Sequence, residues 1–183
     1  NALVWISFPK TKAVINARHF ESLSAGEAGN RPPQRDALTL FDEDGVVVLS
    51  CDTELLDMVR EFRWKTLFQE RRAQVRARMR CMIFGHALYQ KALNPFVGMT
   101  GKAVLLDVSE AFFELSAGAQ VGEADRLLGG YLWDRSRLNN GRDLAPLPVL
   151  GVPGWWAANE AAEFYDDTAY FRPGRRQVAT SSR

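Results

Sequence analysis

The chain has 183 residues, of which 46% are hydrophobic and 25% are charged, and its formal net charge is +1. This length fits one domain with a sizeable core, and the composition is that of an ordinary soluble globular protein. A net charge this small excludes a global field that would draw the chain to nucleic acid or to an anionic membrane, and no apolar run approaches the roughly 18 residues that a membrane span requires.

The chain opens on the sequence NALVWISF, which is apolar on every side except at Ser7. This pattern predicts a buried helix or strand. Basic residues follow the run instead of preceding it, so it has the wrong order for a secretory signal and reads as part of the core. Pro9 opens a second predicted helix. Its expected packing face is Ala13, Ala17 and Phe20, and its expected polar edge is Lys12, Asn16 and His19.

A loop over 24–35 leads into the sequence DALTLFDEDGVVVLS at 36–50. Two β-prone runs flank the acidic stretch 42–45, and Asp-Gly at 44–45 is a strong tight-turn signal. We therefore predict a β-hairpin here. The following helix has Asp52 or Thr53 as its cap and runs toward Phe62, and a longer helix follows over about 64–79.

The second half of the chain alternates short strands and helices. The predicted elements are a strand or helix continuation at 81–85, a helix at 86–95, a strand at 101–108, a short helix capped by Ser109 and a helix at 122–135. From Asn139 onward the chain is rich in Pro and Gly, and LPVLGVPGWW is expected to lay apolar side chains across the domain. The overall prediction is one α+β (or α/β) domain over 1–179, with several helices around a small sheet containing the hairpin, and a disordered tail at 180–183.

Familiar catalytic motifs are absent from the sequence. GMTGKA at 98–103 resembles the end of a phosphate-binding loop, but Phe96 and Ala103 stand where that motif needs Gly and Ser or Thr. A turn entering a strand is the better interpretation. Cys51 and Cys81 are isolated from each other, which predicts two reduced thiols in a cytoplasmic protein. With two distant histidines as well, a zinc cluster is not indicated.

An arginine-rich stretch at 71–80 allows two interpretations. Arg71, Arg72, Arg76 and Arg78 could form a helix that contacts phosphates or RNA. Spread around the helix, they are more typical of a solvated face that pairs with acidic residues elsewhere. The candidate partners are Asp52, Glu54, Asp57, Glu160 and Asp167.

The two histidines are the candidates for chemistry. His86 follows Gly85 and opens a helix, where the positive end of the helix dipole favours the neutral imidazole that a general base or a metal ligand needs. If its helix meets the helix of His19, the two imidazoles would converge with Asp36, Asp42 or Glu43. Histidine and carboxylate groups together would support acid–base chemistry or a single metal. A structural, hydrogen-bonded role for each histidine is the alternative.

Several long stretches of the chain resemble one family. NALVWISFPKTKAVINARH, RDALTLFDEDGVVV, FGHALYQKALNPFVGMTGKA and PGWW…NE…FYDDTAYFRPGRR occur in the order typical of the domain of unknown function 3025, a group of uncharacterised proteobacterial proteins. The resemblance runs from Asn1 to about Arg176 and implies a bacterial, cytoplasmic protein. It supplies no catalytic residues. Family members continue upstream of Asn1 with a stretch containing Trp-His-Asp, so we expect this chain to be a fragment truncated at its N-terminus.

Three functions remain open at this point, and the cofactor and the partners are unknown. The first is a hydrolase-type enzyme with His86 and His19 at its centre and Asp36 in support. The second is a nucleic-acid-associated protein that uses Arg71, Arg72, Arg76 and Arg78. The third is a scaffold or protein-interaction module with an exposed apolar patch around Trp155 and Trp156.

Overall fold

A mixed four-stranded β-sheet organises the fold. The computed structural model describes residues 1–24 and 32–174. The strands are β1 (Gly45–Ser50), β2 (Met79–Ile83), β3 (Thr100–Asp107) and β4 (Ala145–Pro148), in the order β2-β1-β3-β4. β1 pairs in parallel with β3 and antiparallel with β2, and β3 pairs antiparallel with β4. Every residue of β1 is buried, as expected for a central strand covered on both faces.

Helices and short helical turns cover the sheet. The α-helices are α1 (Ala2–Ser7), α2 (Pro9–Ser24), α3 (Pro33–Asp44), α4 (Thr53–Arg60), α5 (Arg72–Arg78), α6 (His86–Lys91), α7 (Ala111–Glu114) and α8 (Ala117–Trp133). Thr66–Glu70 form a π-helical turn, and 3-10 turns occur at Gly141–Asp143, Val149–Gly151, Ala157–Glu160 and Ala162–Asp166. The described residues thus form one α+β domain, the class that the sequence predicts.

Two hydrophobic cores lie on opposite faces of the sheet, because successive side chains of a strand point to opposite sides. Val46 and Val48 point toward α4, the π-helical turn, α5 and the C-terminal segment 145–171. Val47 and Leu49 point toward α1, α2, α3 and α8. The stretch 147–156 contributes Leu147, among others, to the first core, as its composition predicts.

The predicted hairpin at 36–50 is wrong. Residues 33–44 form the helix α3, with Pro33 at its start and Ala37, Leu38 and Phe41 on its buried side. The Asp-Gly pair is the junction between this helix and β1. A Cβ on Gly45 would lie 2.2 Å from the carbonyl oxygen of Phe41, so close packing requires glycine here. The backbone of Gly45 is extended, with φ −66°.

The predicted packing face of α2 is also wrong. Phe20 is 72% exposed, whereas Thr11, Lys12, Ile15 and Arg18 are buried. Polar residues can face inward because partners across the helix pair satisfy them. The carboxylate of Asp125 on α8 accepts hydrogen bonds from the backbone N–H groups of Lys10 (3.0 Å) and Thr11 (2.8 Å). Asp125 therefore caps the first turn of α2 from a neighbouring helix.

Smaller departures from prediction concern element ends and the first helix. In α1 only Val4 is buried, and Leu3 and Ile6 are 63% and 77% exposed, so residues 1–8 are only in part a piece of the core. The long helix predicted at 64–79 is divided into the π-helical turn and α5. Asp52 caps α4 as predicted, since its carboxylate accepts from the N–H of Glu54 at 3.1 Å. The predicted tail at 180–183 lies outside the described residues.

Candidate functional site

His86 begins α6 and contacts the end of α3. Its Nδ1 lies 2.8 Å from the backbone carbonyl oxygen of Asp42 and 3.9 Å from the Oδ2 atom of the same residue. A carbonyl oxygen only accepts hydrogen bonds, so Nδ1 is the donor, and the neutral tautomer that makes this bond has its lone pair on Nε2. The side chain is 34% exposed. This tautomer suits a general base, and it equally suits a histidine that caps the last turn of a helix.

Lys12 is the third member of this cluster, which we call the His86 cluster (Lys12, Asp42 and His86). Its Nζ lies 2.6 Å from Oδ1 of Asp42, its side chain is only 4% exposed, and the ring of Trp5 lies 5.9 Å from the ammonium. The sequence places Lys12 on a polar helical edge and gives no sign of its burial. An ion pair this buried is costly to break, because either partner alone would be an uncompensated charge.

His19 and Asp36 lie away from the His86 cluster. His19 follows Lys12 by seven residues on α2, a rise of about 10 Å along the helix, and Asp36 precedes Asp42 by six residues on α3, about 9 Å. Their share in a common site stays a prediction. Across the described ranges, no group of three or more His, Cys, Asp or Glu side chains is arranged to hold a metal ion.

Four arginines of the stretch 71–80 form ion pairs with acidic residues, the pairing that the solvated interpretation predicts, whereas Arg80 donates to the backbone carbonyls of Arg76 and Met79. Arg71 contacts Glu54 at 2.8 Å, Arg72 and Arg76 share Glu160, and Arg78 contacts Glu110 at 2.7 Å. Arg72 also donates to the backbone and side-chain oxygens of Asn159, both at 3.0 Å. These contacts tie α5 and its N-cap Arg71 to α4, to the N-cap of α7 and to the C-terminal segment.

The apolar patch predicted around Trp155 and Trp156 is not exposed. Both side chains are partly buried and pack against the first hydrophobic core. The large apolar side chains with the greatest exposure lie elsewhere, including Ile6 and Leu93 at 77% and 79%. The hypothesis of a scaffold module therefore has no support from these two tryptophans.

A cleft of about 480 Å³ beside the edge strand β4 has the features of a ligand site. Its floor is the paired ends of β3 and β4, where Lys102 faces Pro146 and Thr100 faces Pro148. A smaller cavity of about 230 Å³ adjoins it and shares Phe62, Arg142 and Pro146 with it. We call the larger cavity the β4 cleft. Its described lining is Phe62, Trp64, Gly98, Thr100, Lys102, Arg142, Leu144, Pro146, Pro148, Ala169, Tyr170, Arg172 and Gly174.

The prolines of β4 protect the edge of the sheet at this cleft. Pro146 and Pro148 have no backbone N–H, so the strand cannot present a full set of donors to another strand. The cleft is therefore open to a small ligand, whereas an added β-strand would be a poor fit.

Phe62 has an unusual backbone conformation at the wall of the β4 cleft. Its φ is +61°, and among the described residues it is the one non-glycine with a positive φ. The N–H of Phe62 donates to Val59 (3.3 Å) and that of Arg63 donates to Met58 (2.9 Å). These two bonds are those of a Schellman helix end, in which the left-handed residue is usually glycine. Phenylalanine there costs about 1–2 kcal/mol.

The ring of Phe62 is held by a network of aromatic and backbone contacts. It meets the ring of Trp64 edge to face, with centroids 5.7 Å apart. Trp64 in turn donates its indole N–H to the carbonyl of Arg172 at 2.8 Å. Tyr170, which also lines the cleft, donates to the carbonyl of Met99 (2.7 Å) and accepts from the N–H of Leu150 (3.0 Å). Burial raises the pKa of the Tyr170 hydroxyl, so it stays a neutral structural group.

The charged side chains in the described lining of the β4 cleft are all positive. Lys102, Arg142 and Arg172 contribute to it, and the described lining includes no Asp or Glu. Within residues 1–24 and 32–174, neither Lys102 nor Arg172 forms an ion pair with a carboxylate, and Arg172 donates from Nε to the carbonyl of Ala169 at 3.0 Å. Cations gathered in a cleft with low-dielectric walls focus a positive potential.

This cleft was not identified from the sequence, although two sequence features belong to it. Gly98, Thr100 and Lys102 all belong to the stretch GMTGKA. Its interpretation as a turn entering a strand is confirmed, because β3 begins at Thr100. The failed phosphate-loop match nevertheless contains a lysine that points into a cavity. The other signal was the pair of prolines in LAPLPVL.

Comparisons with known proteins give a family and no function. The family model described as "Protein of unknown function (DUF3025)" matches residues 1–175 of the 183-residue chain, and the chain belongs to this family. No curated protein and no solved structure matches the chain. No helix in the described ranges combines the length and the apolar character needed to cross a membrane.

Proposed function

We propose that this member of the DUF3025 family binds a small organic anion in the β4 cleft. The observation that carries the proposal is the charge of the cleft: Lys102, Arg142 and Arg172 line it, without an acidic residue in its described lining. An anion would neutralise the repulsion between these cations. The apolar wall formed by Phe62, Leu144 and the two prolines would exclude water and strengthen each charged contact.

Binding of phenyl phosphate, measured by isothermal titration calorimetry, tests this proposal. This probe carries a dianionic group and an apolar ring, which are the two features that the cleft offers. We expect saturable binding that weakens as salt is added, because the contacts are ionic. A charge-assisted hydrogen bond contributes about 1.5–3 kcal/mol, so Lys102→Met should weaken binding roughly 10- to 100-fold.

Arg126→Met is the matched control for Lys102→Met. Arg126 is a half-exposed cation on α8 that pairs with Glu123, and it lies outside the cleft lining. Both variants lower the net charge by one, so a global electrostatic effect would weaken the binding of phenyl phosphate equally in the two. Equal loss in the two variants, or no saturable binding by the unmodified protein, would refute the proposal.

The second candidate function is acid–base chemistry of the hydrolase type at the His86 cluster. The supporting observation is the 2.8 Å contact of Nδ1 of His86 with the backbone carbonyl of Asp42, which would leave Nε2 as the basic atom of a neutral ring, with the carboxylate of Asp42 close by to stabilise a protonated ring. Hydrolysis of p-nitrophenyl acetate that His86→Gln abolishes, and that Asp42→Asn slows, would support it. Turnover unchanged by His86→Gln would eliminate it.

Cellular location belongs to the same set of proposals. We place the protein in the cytoplasm, because Cys51 and Cys81 are both free thiols and a reducing compartment keeps them so.

A further inference from the structure

We infer that the anion bound in the β4 cleft is a nucleoside monophosphate. This inference rests on the proposed function and names the ligand class for the same site. It requires two different surfaces in one cleft, a flat apolar one for a base and a cationic one for a phosphate. Both are present in the lining, and three steps connect them to the ligand.

The first step is the flat surface. The ring of Phe62 and the pyrrolidine ring of Pro146 both line the β4 cleft and both line the adjoining smaller cavity. They therefore stand where the two cavities meet. The aromatic ring of Phe62 at such a point favours a planar occupant, because a base can stack on an aromatic face whatever its identity. A flexible acyl chain is not planar, so the flat ring would not favour its binding.

The second step is the cost of placing Phe62 there. The residue occupies a left-handed position that glycine fills without strain, and its ring is fixed edge to face against Trp64. Strained residues persist where the surrounding structure holds them, and they cluster at ligand sites. A ring held in a fixed orientation loses little further freedom when a base stacks on it.

The third step is the cationic surface. Lys102 faces Pro146 in the register of β3 and β4, so these two side chains leave the strand pair on the same side, and both line the cleft. Arg142 lines both cavities, and Arg172 lines the larger one. A ligand whose ring lies against Phe62 therefore has cations within the same cavity for its phosphate. A nucleoside monophosphate joins a planar ring and a dianion through one sugar.

The experiment separates the ring from the phosphate by using AMP, GMP, CMP and UMP with two truncated probes. Ribose 5-phosphate lacks the base, and adenosine lacks the phosphate. Dissociation constants are measured by calorimetry on the full chain at fixed ionic strength. We expect at least one nucleotide to bind roughly 5- to 100-fold more tightly than ribose 5-phosphate, the range that stacking of one base provides. Adenosine should bind more weakly than AMP.

Variants then assign each part of the ligand to its surface. Phe62→Leu should reduce the nucleotide-to-ribose-5-phosphate ratio to about one and leave ribose 5-phosphate binding unchanged. Phe62→Tyr, which keeps the ring, should preserve the ratio. Phe20→Leu, a change of an exposed ring on α2, is the matched control and should alter neither constant. Lys102→Met should weaken nucleotide and ribose 5-phosphate by the same factor. Urea unfolding of each variant verifies that it is folded.

The outcomes distinguish the two proposals. If the nucleotides bind no more tightly than ribose 5-phosphate, or if Phe62→Leu leaves their ratio unchanged, the nucleotide inference is overturned and the anion site stands. If phenyl phosphate binds and no nucleotide does, the nucleotide inference is likewise overturned and the anion site stands. If adenosine binds as tightly as AMP, the phosphate meets no cation and both proposals fail. If no probe binds, both fail as well.

Discussion

Replacement of Asp125 tests the most consequential polar contact of the fold. Its carboxylate on α8 accepts the N–H groups of Lys10 and Thr11 at the start of α2, across 115 and 114 residues of sequence. Asp125 is 3% exposed and Thr11 is fully buried. In Asp125→Ala the cap is lost, and the N–H of Thr11 has neither a protein acceptor nor ready access to water.

The magnitude follows from these contacts. The orphaned N–H of Thr11 costs about 1–3 kcal/mol. Loss of a negative charge at a helix N-terminus adds about 1 kcal/mol. Lys10 is exposed, so water can replace the acceptor of its N–H and its contribution is small. We therefore expect Asp125→Ala to lower the free energy of unfolding by about 2–4 kcal/mol. Asp125→Asn keeps an acceptor for Thr11 and should cost about 1 kcal/mol.

Urea unfolding followed by circular dichroism measures this difference, and Ser116→Ala provides the control. Ser116 caps α8 from within its own helix, with a 3.4 Å contact to the exposed N–H of Ala119, so its loss should cost at most about 1 kcal/mol. The slope of the free energy with urea should be unchanged, because the fold is retained. A loss below about 1 kcal/mol for Asp125→Ala, or a loss equal to that of Ser116→Ala, would refute the reasoning.

Three further predictions concern other parts of the molecule. Asp42→Asn leaves the buried charge of Lys12 without its partner and should lower the free energy of unfolding in urea by about 2–4 kcal/mol. Adding Lys12→Met to the same chain should recover most of that loss. Additive losses in the double variant would contradict the ion-pair argument. Phe62→Gly and Phe62→Ala both remove the ring, but only glycine relieves the positive φ, so the glycine variant should be the more stable by about 1 kcal/mol; equal stabilities would show that the site is unstrained. Burial raises the pKa of the Cys81 thiol from 9.0 to about 12, so the folded state disfavours the thiolate and the free energy of unfolding should fall as pH rises above 9. At pH 10.5 the loss of stability should be about 2 kcal/mol. Cys81→Ala should reduce this loss, and urea unfolding curves at pH 8 and pH 10.5 would measure it.

Local sequence signals were sufficient for several elements. The apolar runs at 45–49 and 103–106 identify buried strands, because no exposed element can carry so many consecutive apolar residues. Asp52 before Thr53 identifies a helix start through its side-chain acceptor. The acid pairing of Arg71, Arg72, Arg76 and Arg78 also agrees with the sequence, since a spread of cations around one helix is typical of a solvated face. These features depend on neighbours in the chain.

The errors have a common physical origin in contacts between distant parts of the chain. DALTLFDED carries both β-prone residues and a helical spacing of Ala37, Leu38 and Phe41, and the packing of Phe41 against Phe84, with stacked rings 4.9 Å apart, favours the helix. The inward face of α2 is polar because Asp125 and Asp42 are supplied by other helices. No periodicity within α2 reveals those partners.

By itself, the sequence determined the α+β class, the central strands and the family. These properties depend on composition and on local spacing, which can be read directly from the sequence. Only the tertiary structure decided which polar groups meet. It joined Lys12, Asp42 and His86 from three helices, and it gathered Phe62, Lys102 and Arg172 from distant segments around one cleft. Which residues share a site depends on distances in space, and residues 30 to 110 positions apart carry no local signal of that proximity.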